Sequence, residues 1–202
     1  MFYAEKQAKE FLEKYGFDVL TSIYIKNPNK LKGLRGVLDF PVAVKVFGKN
    51  IVHKKKLGGV TLNVKSIKEI IKIFKKMKKI KGFEGIVIQE MTHGKEILLG
   101  VKKTPEFDHV IAFGAGGSNV EKLKDVSFRV VPFSKKDALE MIDETKISRD
   151  LNKNEKNLIL KNIFLLQEVL KKYPSISELD INPLSLVDGV AKVIDARIVF
   201  EE

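Results

Sequence analysis

The chain contains no cysteine, which excludes disulfide cross-links, thiol nucleophiles and cysteine-ligated zinc. Tryptophan is absent too. Histidine is scarce: His53, His93 and His109 are scattered along the chain, and one histidine alone does not make a metal site. No apolar run approaches the ~18 residues of a membrane span. The opening segment, MFYAEKQAKEFLEKYG, is charged and amphipathic. It lacks the apolar core and small-residue cleavage site of a signal peptide, so a cytoplasmic protein is the expectation. Internal repeats, low-complexity tracts and long linkers are missing as well. What remains is 202 residues, 44% hydrophobic, enough for one cored domain or one domain in two lobes.

Acidic residues are few relative to basic ones, 26 Asp and Glu against 37 Lys and Arg, for a net charge of +11. Such a balance suits a polyanionic partner, or the lysine enrichment of proteins from hot environments. The densest basic run, Lys72 to Lys81, alternates at helical spacing with Ile70, Ile71, Phe74, Met77 and Ile80. That pattern describes a solvated helix face over a core, and nucleic acid is not the expected partner.

Periodicity predicts a helix over 3–15, a strand over Phe17–Ile25, a turn at 27–29 and a strand over Pro41–Phe47. Ser66 with Glu69 forms a capping box for a helix to about Lys79. Strands follow at 85–91, 96–102, 109–113 and 126–131. Helices begin at Ser134 and near residue 154, and strands close the chain at 178–187 and 190–200. Helices and strands mix without regular βαβ alternation, so the expected class is α+β.

Three features carry chemistry. Lys45 stands among Val42, Ala43, Val44, Val46 and Phe47. Lysine is rarely placed in such company unless paired. It reads either as an edge-strand lysine or as an ammonium aimed at a phosphate. The loop HKKKLGGV, His53 to Val60, combines Lys54, Lys55 and Lys56 with Gly58-Gly59, whose backbone can approach an anion closely. His53 in that loop is a candidate phosphoryl acceptor, since imidazole is nucleophilic near neutral pH. Asp188-Gly189, between two apolar-rich strands, is a two-residue hairpin signal. A turn there sets Asn182 opposite Asp195 and Asp180 opposite Arg197, with opposed Cβ atoms about 5 Å apart. Asn182 and Asp195 then present two oxygens to one point, as Mg²⁺ requires beside phosphate and water oxygens, or form an ordinary polar pair. A lysine strand, a basic glycine loop and an oxygen pair together suggest phosphoryl chemistry.

Six collinear stretches extend this reading: AKEFLEKYGFDV (8–19), FPVAVKV (40–46), IVHKKKLGGV (51–60), IVIQEM…GKEILLGVKKTPEFDHVIAFGAGG (86–117), EKLKDVSFRVVPFS (121–134) and ELDINPLSLVDGVAKVIDARI (178–198). Together they resemble the β subunit, or ATP-grasp segment, of the ADP-forming acyl-CoA synthetases, relatives of succinyl-CoA synthetase. The resemblance implies one ATP-grasp domain over 1–202, with lobes near 17–88 and 89–202, the N-terminal helix 1–16 packing on them, and nucleotide between the lobes. It implies reversible conversion of acyl-CoA, ADP and phosphate to acid, CoA and ATP, through phosphohistidine. Lys45 would contact nucleotide phosphates, with Lys54 and the Gly58-Gly59 loop closing over them. Glu90, Met91 and Thr92 would line the adenine, and Glu96 would reach the ribose. Asn182 and Asp195 would hold Mg²⁺, and His53 would be a phosphoryl relay. The implied partner is a CoA-binding α subunit in an α₂β₂ assembly. Where that family reads Asp-Ile-Leu-His-Lys-Ser-Asp, this chain has Asn50, Lys55 and Lys56 in place of two acids and a serine. A nucleotide-binding regulatory or assembly module of the same fold is therefore the alternative to an enzyme subunit. A polyanion binder and an ATP-grasp carboxylate–amine ligase are the further alternatives.

Overall fold

The computed structural model describes residues 1–48, 51, 54–117 and 125–201. It divides into two compact units, residues 20–92 and residues 1–19 with 93–202.

The chain opens in the larger unit with β1 (Phe2–Tyr3), α1 (Glu5–Lys14) and β2 (Asp18–Val19). It then builds the smaller unit from β3 (Ile23–Ile25), a 3₁₀ turn (Pro28–Leu34), β4 (Val42–Gly48), β5 (Val60–Val64), α2 (Ile67–Met77) and β6 (Phe83–Glu90). It returns through β7 (Lys95–Thr104), β8 (Asp108–Ala115) and β9 (Val126–Val130), then α3 (Lys135–Asp143), a 3₁₀ turn (Lys146–Asp150) and α4 (Lys153–Lys172). β10 (Ile176–Val187), β11 (Val190–Val193) and β12 (Ala196–Phe200) complete it. The α+β class follows from these elements.

In the smaller unit the strands lie in the order β3-β6-β4-β5, all antiparallel. α2 starts where the sequence places its cap: Ser66 Oγ accepts from the Glu69 N–H at 3.3 Å, and Glu69 Oε2 accepts from the Lys65 N–H at 2.8 Å. Its Ile70, Phe74 and Met77 are buried on Val42, Val44, Val46, Ile86 and Ile88 of one sheet face. The lysines occupy the exposed side of the helix.

The larger unit holds the sheet β1-β12-β10-β7-β8-β9, with β11 pairing β10 and, in parallel, β2. Ile97, Leu99, Ile111, Phe113, Leu179, Ile181 and Ile198 point to one face, where they join buried residues of α1, α3 and α4. The hairpin register matches its derivation. Asp188 and Gly189 both adopt positive φ, 50° and 74°, which matches the twist of the flanking strands. Leu184 pairs Val193, Asp180 pairs Arg197, and the Asn182 N–H donates to the Asp195 carbonyl at 3.1 Å.

Two expectations need correction. The single strand over Phe17–Ile25 is two short strands, because β2 pairs in one sheet and β3 in the other. The strand over 190–200 is split at Ile194 and Asp195. The 3₁₀ turn at Pro28–Leu34 begins at the turn expected over 27–29, whereas β1, β5 and the 3₁₀ turn at Lys146–Asp150 have no counterpart in the sequence reading; β1 exists through its pairing with Val199 and Ile198. Among the described residues no helix is long and apolar enough to cross a membrane.

Candidate functional site

In the smaller unit, strand alternation sends Val42, Val44 and Val46 to the core under α2 and Lys45 to the opposite face. Lys45 is held centrally, between Val60 of β5 and Val87 of β6. It is 8% exposed, and it makes no ion pair among the described residues. On the same face the Gln89 amide donates to Ser22 Oγ at 2.8 Å, and the Tyr24 ring meets Phe47 edge-on at 5.3 Å. The face is therefore polar at its centre and aromatic at one end.

The glycine loop returns to this strand. The Val46 N–H donates to the Gly59 carbonyl at 2.7 Å, and a Cβ at 59 would lie 2.3 Å from Val46 Cγ1. The Gly58 and Gly59 N–H groups donate to the Lys55 and Lys54 carbonyls at 3.0 and 2.8 Å. Both glycine amides are thus used inside the turn. In this conformation, anion binding by the loop falls to the ammonium groups, with Lys55 and Lys56 exposed and Lys54 half-buried. Glu90 ends β6 exposed, opposite Val42, and Met91 and Thr92 follow half-buried where the smaller unit's chain ends. His53 lies outside the described residues.

In the larger unit the same alternation turns Asp180, Asn182, Arg197 and Glu96 away from the helices, since Leu179, Ile181, Ile198 and Ile97 go to the core. Asn182 Oδ1 accepts from the Gly117 N–H at 2.8 Å, and the Gly116 N–H donates to the Glu96 carbonyl at 2.7 Å. The turn after β8 therefore brings Glu96 and Asn182 to adjacent peptides, with Asp195 joined to Asn182 through the backbone. An amide oxygen has two lone pairs, so Asn182 keeps one for a further partner. Asn182 and Asp195 offer only oxygen, and the described residues contain no cluster of three His, Cys, Asp or Glu side chains that would hold a metal unaided. That donor set suits Mg²⁺ completed by phosphate and water, and it does not suit zinc or a soft metal.

Arg197 is held by Glu178 at 3.2 Å, and Glu178 is held in turn by Lys102. Burial pushes the Asp180 carboxyl above the ordinary aspartate range; Arg197 opposes the shift, and the Asp195 and Glu178 charges add to it. Three carboxylates, Glu178, Asp180 and Asp195, thus act on one another beside Arg197 and Lys102, and a further cation would relieve the charge on Asp180. Sequence reasoning paired Asp180 with Arg197 but gave neither a role. It missed Gly116-Gly117, whose signal was a glycine pair directly after a strand.

The ATP-grasp domain family matches residues 2–200. The acetate–CoA ligase [ADP-forming] II of Archaeoglobus fulgidus is 38% identical over 100% of this chain, which spans 31% of that relative's length. The β subunit of acetate–CoA ligase [ADP-forming] I of Pyrococcus furiosus is 35% identical, covering 96% of this chain and 90% of its own. Among solved structures, acetyl-coenzyme A synthetase 1 of Ca. Korarchaeum cryptofilum, in complex with coenzyme A and Ca-AMPCP, superimposes with a TM-score of 0.86 at 31% identity, covering 99% of this chain and 93% of its own. The chain belongs to the ATP-grasp domain family, in the company of the β subunits of ADP-forming acetate–CoA ligases.

Proposed function

We propose that this chain is the nucleotide-binding subunit of an ADP-forming acyl-CoA synthetase, in which ADP accepts a phosphoryl group from phosphohistidine as acyl-CoA and phosphate become acid and CoA. Lys45 carries the reading. A lysine 8% exposed, with no ion pair among the described residues, is costly unless an anion completes it. Nucleotide phosphates supply that anion.

The remaining residues take consistent places in this proposal. Lys54 and the Gly58-Gly59 turn stand beside the Lys45 strand as the phosphate loop. Glu90, Met91 and Thr92 meet the adenine, and Glu96 accepts from ribose hydroxyls. Asn182 and Asp195 bind Mg²⁺, which neutralises phosphate charge when present. His53 is the proposed phosphoryl relay. The two units are read as the lobes of one ATP-grasp domain over 1–202. Coenzyme A and the acyl group belong to a separate α subunit, in a proposed α₂β₂ assembly. The A. fulgidus relative, about three times the length of this chain, and the P. furiosus protein named a β subunit support that division of labour.

The test is calorimetric titration of the full chain with ADP and ATP, with and without Mg²⁺, beside Asp195→Ala. Micromolar binding that needs Mg²⁺ and weakens at least tenfold in the variant is expected. Binding indifferent to both Mg²⁺ and Asp195 would overturn the metal assignment, and no nucleotide binding would overturn the function.

A further inference from the structure

Gly117 lies just past β8, where the backbone adopts φ +76°. Its N–H holds Asn182 Oδ1 at 2.8 Å. A Cβ built on it would stand 1.8 Å from Oε2 of Glu96 and 3.0 Å from its Cδ. Gly116, next to it, is constrained differently: a Cβ there would meet the Ile97 backbone at 2.6–2.7 Å. Backbone cannot step aside, so Gly116 is a packing requirement of the sheet. The obstacle at Gly117 is the far end of an exposed, flexible side chain. A methyl group at 117 would displace the Glu96 carboxylate without moving any backbone, adding only the strain of a left-handed φ, while the N–H to Asn182 would remain.

We infer that Gly117 is a positioning residue: its missing side chain keeps the Glu96 carboxylate beside the peptide that holds the Asn182 amide, and so sets the spacing between the ribose-reading and metal-binding parts of the site. This inference rests on the nucleotide function proposed above. It separates two properties that a merely structural glycine would lose together. Moving Glu96 removes ribose recognition. Keeping the Gly117 N–H preserves the Asn182 orientation, and with it the Mg²⁺ dependence.

The experiment compares Gly117→Ala with Gly189→Ala in the full chain. Gly189 has nearly the same φ, +74°, and nothing within 4 Å of a built Cβ, so it reports the backbone strain alone. Each protein is titrated with Mg·ADP, Mg·2′-deoxy-ADP and Mg·3′-deoxy-ADP, and its thermal midpoint is recorded. The wild type should favour ADP over at least one deoxy analogue by about tenfold or more, the strength of a hydroxyl-to-carboxylate bond. Gly117→Ala should bring that preference to within about twofold, keep its Mg²⁺ dependence, and melt within a few degrees of Gly189→Ala, which keeps the preference. In a Glu96→Ala background, Gly117→Ala should change affinity no further. If Gly117→Ala discriminates as the wild type does, the inference is overturned and the nucleotide function stands. A midpoint far below that of Gly189→Ala, with Mg²⁺ dependence also lost, assigns Gly117 to the fold instead. A wild type that binds no nucleotide overturns the function, and the inference with it.

Discussion

Lys45 illustrates what a single residue costs a fold that must bind something. The residue is 8% exposed, centred on a sheet face between Val60 and Val87, with no carboxylate bonded to it among the described residues. A buried charge without a partner is unfavourable, and an apolar group of similar length removes that burden. Lys45→Met should therefore stabilise the ligand-free chain by about 1–2 kcal/mol, read as a higher denaturant midpoint at unchanged m-value. Mg·ADP affinity should fall by ten- to a hundredfold, the worth of a charge-assisted hydrogen bond. A variant that is less stable and binds as before would show that Lys45 is a structural residue and that the phosphate assignment is wrong. Lys45 was legible in the sequence because it interrupts an apolar strand. Gly117 was visible only as half of a glycine pair after a strand, because its significance depends on where the Glu96 side chain stands, which no local pattern encodes.

At the scale of elements, most of what depended on neighbouring residues was readable, β5 (Val60–Val64) excepted, and what depended on distant pairing was not. Ser66, Ser134 and Asn152 accept from the N–H groups of Glu69, Asp137 and Glu155, which are local caps. Asp188-Gly189 dictated a register that extends through Asp180 and Arg197, because a two-residue turn leaves strands no freedom to slip. The break of Phe17–Ile25 into β2 and β3 was hidden, since only the partner strands reveal that the chain changes sheets. The start of α4 joins the two kinds of information. Glu155 caps the helix locally, taking the Asn152 N–H at 2.7 Å, and also binds Lys95 at 2.7 and 2.8 Å on the first residue of β7. Burial pushes its carboxyl up, but the Lys95 and Asn152 bonds outweigh burial and hold it below the ordinary glutamate range. A carboxyl depressed in the folded state stabilises above its unfolded pKa of about 4.3, and loses that contribution as pH falls through the lower folded value. Glu155→Ala should cost about 1–2 kcal/mol at pH 7, and Glu155→Gln, which keeps a capping oxygen, roughly half of that. The gap between wild type and Glu155→Gln should close as pH drops below about 4. A gap that stays constant across that range would mean the Lys95 pair contributes nothing and the cap contributes everything.

Over the whole molecule, charge is divided unevenly. Residues 20–92 contain 17 Lys and Arg against 4 Asp and Glu, net +13, whereas the rest of the chain, 20 against 22, is net −2. Lysine enrichment that serves ion-pair networks needs acids of matching number, and the smaller unit does not have them. Lys68, Lys72, Lys75, Lys76 and Lys79 all lie exposed on α2 or just past its end, and they include like-charged pairs four residues apart. Each such pair within a helix is unfavourable by a few tenths of a kcal/mol. α2 covers the sheet face opposite the one bearing Lys45, so these lysines do not line the proposed phosphate site. Their dominant effect on the ligand-free chain is self-repulsion. Raising NaCl from 0.1 M to 1 M shortens the screening length from about 10 Å to about 3 Å, and the thermal midpoint should rise by several degrees. Lys72→Glu with Lys79→Glu should raise the midpoint at 0.1 M and gain much less at 1 M, because salt has already done there what the acids would do. A midpoint that falls steadily with salt in the wild type would show that attractive pairs outweigh repulsion. The +13 of the smaller unit would then be balanced by contacts, and the lysine face would be part of what holds this protein together.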